Sequence, residues 1–321
     1  MRDTIERQQA WIYLTAILVG MTMGYTLPKT AASWEILIWP LMAGLLYATF
    51  TQVPFANMAI ALRDKRFLAA LLVGNFIVMP VISGVLLLLL PDNAAIKLGV
   101  LLVLLVPCTD WFISFAHLGR GDAARAVSAA PILLITQLLL MPFYIWLFLG
   151  ELVIELTFGS HLLSAFAGLI LLPMALAWLT EKAAGKRQKV ADFVKGLGWF
   201  PVPLLAMVVF IIAASQVSLV LESGQILWQV VVVFVLYLLA AGAAGKLINR
   251  AFVLEPRAGR TLTFSLGTRN SFVVLPLALS LPDAWSLVAV VIVLQSLVEL
   301  FGMVAYVRWV PTWLIREPIT A

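Results

Sequence analysis

LGVLLVLLVPCTDWFISFAHL, residues Leu98–Leu118, is an apolar run broken at its centre by Pro107-Cys108-Thr109-Asp110. With a rise of about 1.5 Å per residue, a helix of this length crosses a hydrocarbon layer about 30 Å thick, and the break falls near the midplane. A second run, LTFSLGTRNSFVVLPLALSL over Leu262–Leu281, is interrupted in the same way by Gly267-Thr268-Arg269-Asn270. A charged side chain at that depth costs at least about 2.5–3.5 kcal/mol. Two such interruptions in matching positions of two halves are the sequence pointer to a transporter's binding site.

The rest of the chain fits a membrane setting. Of 321 residues, 63% are hydrophobic and 12% charged, against about 25% charged in a soluble domain. The apolar runs are continuous, as in helices, and lack the alternation of a barrel. The single cysteine, Cys108, excludes an intrachain disulfide and a multi-cysteine metal cage. No small-residue cleavage site follows the polar stretch Met1–Gln9, so the first apolar run is expected to be a retained span. There is no Walker loop, HExxH or GxSxG elbow, and the two histidines, His117 and His161, are far apart. An enzyme reading has no catalytic constellation, and no cofactor is called for. A non-transporting receptor would add a soluble domain, for which the segments between spans are too short.

Ten spans can be drawn, at roughly 11–27, 34–53, 67–90, 96–118, 127–150, 160–180, 198–220, 226–248, 261–281 and 284–310. With the N-terminus inside, 18 of the 21 Lys and Arg fall in cytoplasmic segments; Lys29 and Lys97 lie outside and Arg269 within a span. This asymmetry orients the chain with both termini cytoplasmic. It also accounts for the net charge of +5 without a nucleic-acid partner. The eleven tryptophans, Trp11, Trp39 and Trp309 among them, suit interface belts. The midpoint falls near Glu151–Ser160, giving repeats of five spans at 1–155 and 156–321. Five is odd, so the repeats have inverted topology within one all-α membrane domain, and span four matches span nine.

The interruptions carry the candidate chemistry. Pro107 removes a backbone donor, and Thr109 and Asp110 bring polar groups where water is absent. A kink with Asp110 neutralised by a neighbour and a discontinuous helix lining a cavity are both open. Arg269 stays charged at any accessible pH and is expected to meet Asp110 on the facing break. That pair is either a structural ion pair or part of a substrate site. Asn270 offers a donor and an acceptor, and Asn75, ahead of Pro80, is a further midplane polar group suited to helix–helix hydrogen bonding or to ligand contact. Glu299 has Gln295 one turn before it on the same face. As a buried carboxylate, Glu299 is a proton-carrier candidate or a static partner of Arg269. His117 reads as interfacial. Cys108 is either an apolar filler or a soft ligand for a thiophilic species.

Three motifs carry a resemblance. Pro107-Cys108 followed by Gly121-Asp122 resembles the fourth helix of the arsenical-resistance (arsenite efflux) family of the bile acid:sodium symporter superfamily. Asn75-Phe-Ile-Val-Met-Pro80 resembles that family's third-helix Asn-Trp…Gly-Pro stretch, and Gly267-Thr-Arg-Asn270 followed by Leu277-Ala-Leu279 resembles the superfamily's ninth-helix Asn motif. The resemblance implies ten helices, with the interrupted fourth and ninth crossing at the midplane. It implies a secondary transporter in the plasma membrane and makes Cys108 the residue that handles As(III). A ninth-helix glutamate of the arsenite exporters is Val273 here. The ninth-helix Glu and Gln that bind sodium in the coupled members align with Ser265 and Arg269. An arginine repels sodium, so the resemblance points to exchange of arsenite or a related metalloid for protons. In that reading Cys108, Thr109, Asp110, Arg269, Asn270 and Asn75 form the substrate site, and Glu299 or Asp110 carries the proton. The competing expectation is an organic-anion symporter with Arg269 as counter-ion.

Overall fold

Asp64 and Asn93 each start a helix by taking a hydrogen bond from the backbone N–H three residues on, Phe67 and Ile96, both at 3.1 Å. Pro201 and Pro256 stand at helix starts, where a missing N–H is harmless. Such local signals, with the apolar runs between them, make this chain helical: in lipid, a helix satisfies its own backbone. The computed structural model describes residues 2–53, 61–109, 111–149 and 167–317. Among them there is helix and no strand, apart from one isolated bridge between Pro107 and Arg269.

In chain order the main helices are α1 (Arg2–Thr26), α2 (Ile38–Phe50), α3 (Lys65–Val73), α4 (Met79–Leu87), α5 (Ala94–Leu104), α6 (Trp111–Leu118) and α7 (Ala123–Leu149). There follow α8 (Leu172–Ala184), α9 (Gln188–Leu197), α10 (Pro201–Ser215), α11 (Gly224–Ala251), α12 (Pro256–Gly267), α13 (Ser271–Leu279) and α14 (Leu287–Trp309). Six stretches among the described residues are helical, long and apolar enough to cross a membrane: Pro28–Phe50, Lys65–Leu87, Ala123–Phe148, Gln188–Ser215, Gly224–Ala251 and Asp283–Leu314. The expected spans 96–118 and 261–281 are each present as two short helices, α5 with α6 and α12 with α13. The expected span 160–180 lies partly outside the described residues. The first apolar run is a shorter helix over Trp11–Thr26.

The chain forms two compact units, each drawing segments from both halves of the sequence. The first comprises Met1–Gln52, Leu152–Trp228 and Phe272–Leu297. Its main contact sets α1 against α10. Gly20 and Gly24, four residues apart, bring the two backbones together: a Cβ on Gly20 would stand 2.5 Å from the Phe210 carbonyl oxygen, and one on Gly24 2.0 Å from that of Ala214. Trp34 stacks on Phe210, ring centroids 5.5 Å apart. The Tyr47 hydroxyl meets the Thr180 hydroxyl at 2.9 Å, and Gln52 Nε2 donates to the Val194 carbonyl at 3.1 Å, tying α2 to α8 and α9.

The second unit comprises Val53–Glu151, Gln229–Ser271 and Val298–Ala321, and holds both interruptions. Between α3 and α4, Gly74–Val78 widens into a π-turn. Pro80 has no N–H to give the Phe76 carbonyl, and the Tyr144 hydroxyl donates to that oxygen instead. From Ala258 to Gly267, α12 is buried on every side although it carries Thr261, Thr263 and Ser265. Two of these hydroxyls donate back along the helix, Thr261 to Arg257 O at 3.1 Å and Thr263 to Gly259 O at 2.9 Å. At the start of α12, Arg125 gathers Asp64 (2.8 Å), Asp122 (3.1 Å) and Glu255 (3.3 Å). There too, Arg260 donates to the carbonyls of Ile315 and Arg120 and to Glu317. Two helices end in left-handed residues other than glycine, Arg120 after α6 and Val253 after α11. In each, paired 6→1 and 5→2 bonds close the turn.

Candidate functional site

The two interruptions meet backbone to backbone. After α5, Val106, Pro107 and Cys108 pair antiparallel with Thr268, Arg269 and Asn270 after α12. Asn270 N–H donates to Val106 O at 2.8 Å, and Cys108 N–H to Thr268 O at 3.2 Å. Pro107 and Arg269 face each other in the position between those bonds, where an antiparallel pair exchanges none. Proline is therefore at home there: the donor it lacks has no use. Polar backbone left over from two broken helices is satisfied by the partner break, which makes non-helical structure tolerable at membrane depth. Gly267 ends α12 against Met303 and Tyr306, which a Cβ would meet at 2.9 Å.

Arg269 is 2% exposed. Its Nη2 donates to Asn75 Oδ1 (3.1 Å), Ser265 O (3.3 Å) and Leu266 O (2.6 Å), and its Nη1 to Leu104 O (3.3 Å). Its guanidinium carbon stands 5.3 Å from the centre of the Tyr237 ring. Leu104, Ser265 and Leu266 belong to the last turns of α5 and α12, so the guanidinium sits at the negative ends of two helix dipoles. The Tyr237 hydroxyl lies between two of the same carbonyls, 3.5 Å from Leu104 O and 3.3 Å from Leu266 O.

Several sequence candidates come together here. Asn75 is fully engaged: Nδ2 donates to Leu71 O (3.1 Å) and Ser265 Oγ (3.0 Å), while Oδ1 receives Arg269. Glu299 reaches the break through its Oε2, which accepts the Arg269 backbone N–H at 2.8 Å. Asn270 Nδ2 donates to Thr109 Oγ1 at 3.3 Å across the two breaks. Cys108 is buried and takes part in no disulfide. Asp110, the expected partner of Arg269, lies outside the described residues. Among those described, the hydrogen-bond partners of the guanidinium are backbone and amide oxygens. His117 is exposed at the end of α6, and Gln295 is buried.

Tyr237 is the residue that the sequence reading missed. A signal existed: a lone tyrosine in the middle of the α11 run WQVVVVFVLYLLAAG, away from the interfaces that tyrosine favours.

No curated protein matches the chain. Residues 39–223, more than half of the chain, match the model of the Sodium Bile acid symporter family. That stretch includes Asn75 and the first interruption, while the second lies beyond it. The match and the long apolar helices agree on a multi-pass membrane protein. The chain belongs to the sodium bile acid symporter family and is a membrane transporter of that type.

Proposed function

We propose that this transporter is a secondary active exporter of arsenite or a related metalloid, driven by exchange for protons and belonging to the arsenical-resistance branch of its superfamily. In this reading ten spans form two inverted five-helix repeats in the plasma membrane, with both termini cytoplasmic. Cys108 supplies a thiol to As(III), beside Thr109, Asp110 and Asn270, while Arg269 and Asn75 hold the breaks in place. Glu299 or Asp110 carries the proton. The observation that carries the reading is the antiparallel junction of Val106–Cys108 with Thr268–Asn270, which joins the backbone bearing buried Cys108 to the Thr109–Asn270 pair and the Glu299 carboxylate. Glu299 holds the Arg269 backbone N–H, so a change in its protonation acts directly on the junction.

The test is arsenite uptake into everted membrane vesicles with and without an imposed proton gradient. The expected result is gradient-driven accumulation, reduced in Cys108→Ser. No accumulation in either condition would refute metalloid export.

The family match favours a second reading, a sodium- or proton-coupled organic-anion symporter. In that reading Arg269 would be the substrate's counter-ion. Against it, both terminal nitrogens of Arg269 are already engaged by protein oxygens, which leaves them poorly placed to clamp an anion.

A further inference from the structure

We propose that the Arg269 guanidinium is a tethered cation that takes the place of a free small monovalent cation at the junction, and so removes the transporter's need for sodium there. The inference rests on the proton-coupled reading above and names the residue that decides the coupling ion.

The argument starts from the acceptors. Leu104 O, Ser265 O, Leu266 O and Asn75 Oδ1 converge on one buried guanidinium, three of them on Nη2 alone at 2.6–3.3 Å. Converging carbonyl and amide oxygens are the donor set that replaces the water shell of an alkali cation. Two helix C-termini add their negative ends to the same spot, and the Tyr237 ring face adds a further site for positive charge. A nest of this kind, buried and without a cation, would hold aligned dipoles with nothing to oppose them. Arg269 fills it from within the junction itself, since its backbone is part of the antiparallel pair. Its charge is permanent. It cannot dissociate during a transport cycle as a coupled ion must, and it repels any second cation from the same oxygens. The geometry therefore gives these oxygens a permanent tethered charge, and a sodium gradient has no purchase on them.

The test uses purified full-length protein in detergent, with wild type, Arg269→Ala and Arg269→Lys prepared in sodium chloride throughout. Melting is then followed in NaCl, KCl and choline chloride at equal ionic strength. Wild type should melt at the same temperature in all three. Arg269→Ala should melt several degrees lower in choline and recover at least half of that loss in saturating NaCl, because an ion that binds the native state alone stabilises it. Arg269→Lys, which keeps a tethered charge, should be insensitive to the choice of salt. The proposal is overturned if Arg269→Ala responds equally to all three salts or is unfolded in every one. It is also overturned if Arg269→Lys acquires the sodium dependence of the alanine variant, or if wild type is itself stabilised by sodium over choline. Sodium-driven uptake by wild-type vesicles would instead refute the proton-coupled reading, whatever the variants do.

Discussion

Replacing Asn75 by leucine removes three hydrogen bonds from the junction with little change in side-chain volume. The bonds lost are those to Arg269 Nη2, Ser265 Oγ and Leu71 O. A hydrogen bond to a charged group contributes about 1.5–3 kcal/mol and a neutral one about 0.5–1.5 kcal/mol, so a simple sum is about 2.5–6 kcal/mol. The geometry lowers it. Nη2 has two protons and faces three oxygens, so the guanidinium keeps Ser265 O and Leu266 O when Asn75 is gone. Leucine needs no partner, and its similar volume leaves no cavity. The remaining cost is about 1.5–3 kcal/mol, from the weakened charge-assisted bond and the Ser265 hydroxyl left alone. At about 2–4 °C per kcal/mol, the conversion for domains of about 150–250 residues, the melting temperature in detergent should fall by roughly 3–12 °C. A cycle with Ser265→Ala isolates the shared bond. The double variant should lose less than the sum of the singles, because the second change removes a group already orphaned by the first. Asn75→Leu melting within about 1 °C of wild type, or strict additivity in the cycle, would refute this account of the junction.

Three other outcomes follow from the structure. Gly24→Ala puts a Cβ 2.0 Å from a carbonyl oxygen of the facing helix; the helix propensity gained, about 1 kcal/mol, is outweighed by overpacking of about 1–3 kcal/mol or more, and the variant should melt lower than wild type. Val253, at φ 47°, is a β-branched residue in the left-handed region, so Val253→Gly should raise stability by about 1 kcal/mol, read as a higher melting temperature with unchanged uptake. Glu299→Gln keeps a side-chain oxygen for the Arg269 N–H but cannot release a proton; its melting should stay near wild type while gradient-driven arsenite accumulation is lost, and full accumulation would remove Glu299 as the proton carrier.

Much of the junction was legible before any coordinates. Pro107 and Gly267 mark backbone where a helix is easily broken, and Arg269 and Glu299 are too costly in an apolar run to be incidental. Asn75 stood out for the same reason. What Arg269 binds was not legible. Among the described residues its guanidinium partners are mostly the carbonyls of Leu104, Ser265 and Leu266, and every residue has a carbonyl, so no side-chain pattern singles these three out. Tyr237 passed as one more aromatic in a long apolar helix until its hydroxyl was seen between two helix ends. The one charged partner the sequence named for Arg269, Asp110, lies outside the described residues; complementary charge is what a residue string can display.

By itself, then, the sequence determined that the chain is a helical membrane protein and where two of its helices break, since hydropathy and proline or glycine placement act locally and need no partner. Only the tertiary structure decided that the breaks join antiparallel, with Pro107 opposite Arg269, and that a buried cation is held by helix ends. Both depend on freed backbone groups finding one another across more than a hundred residues of chain, and those groups are the same at every position.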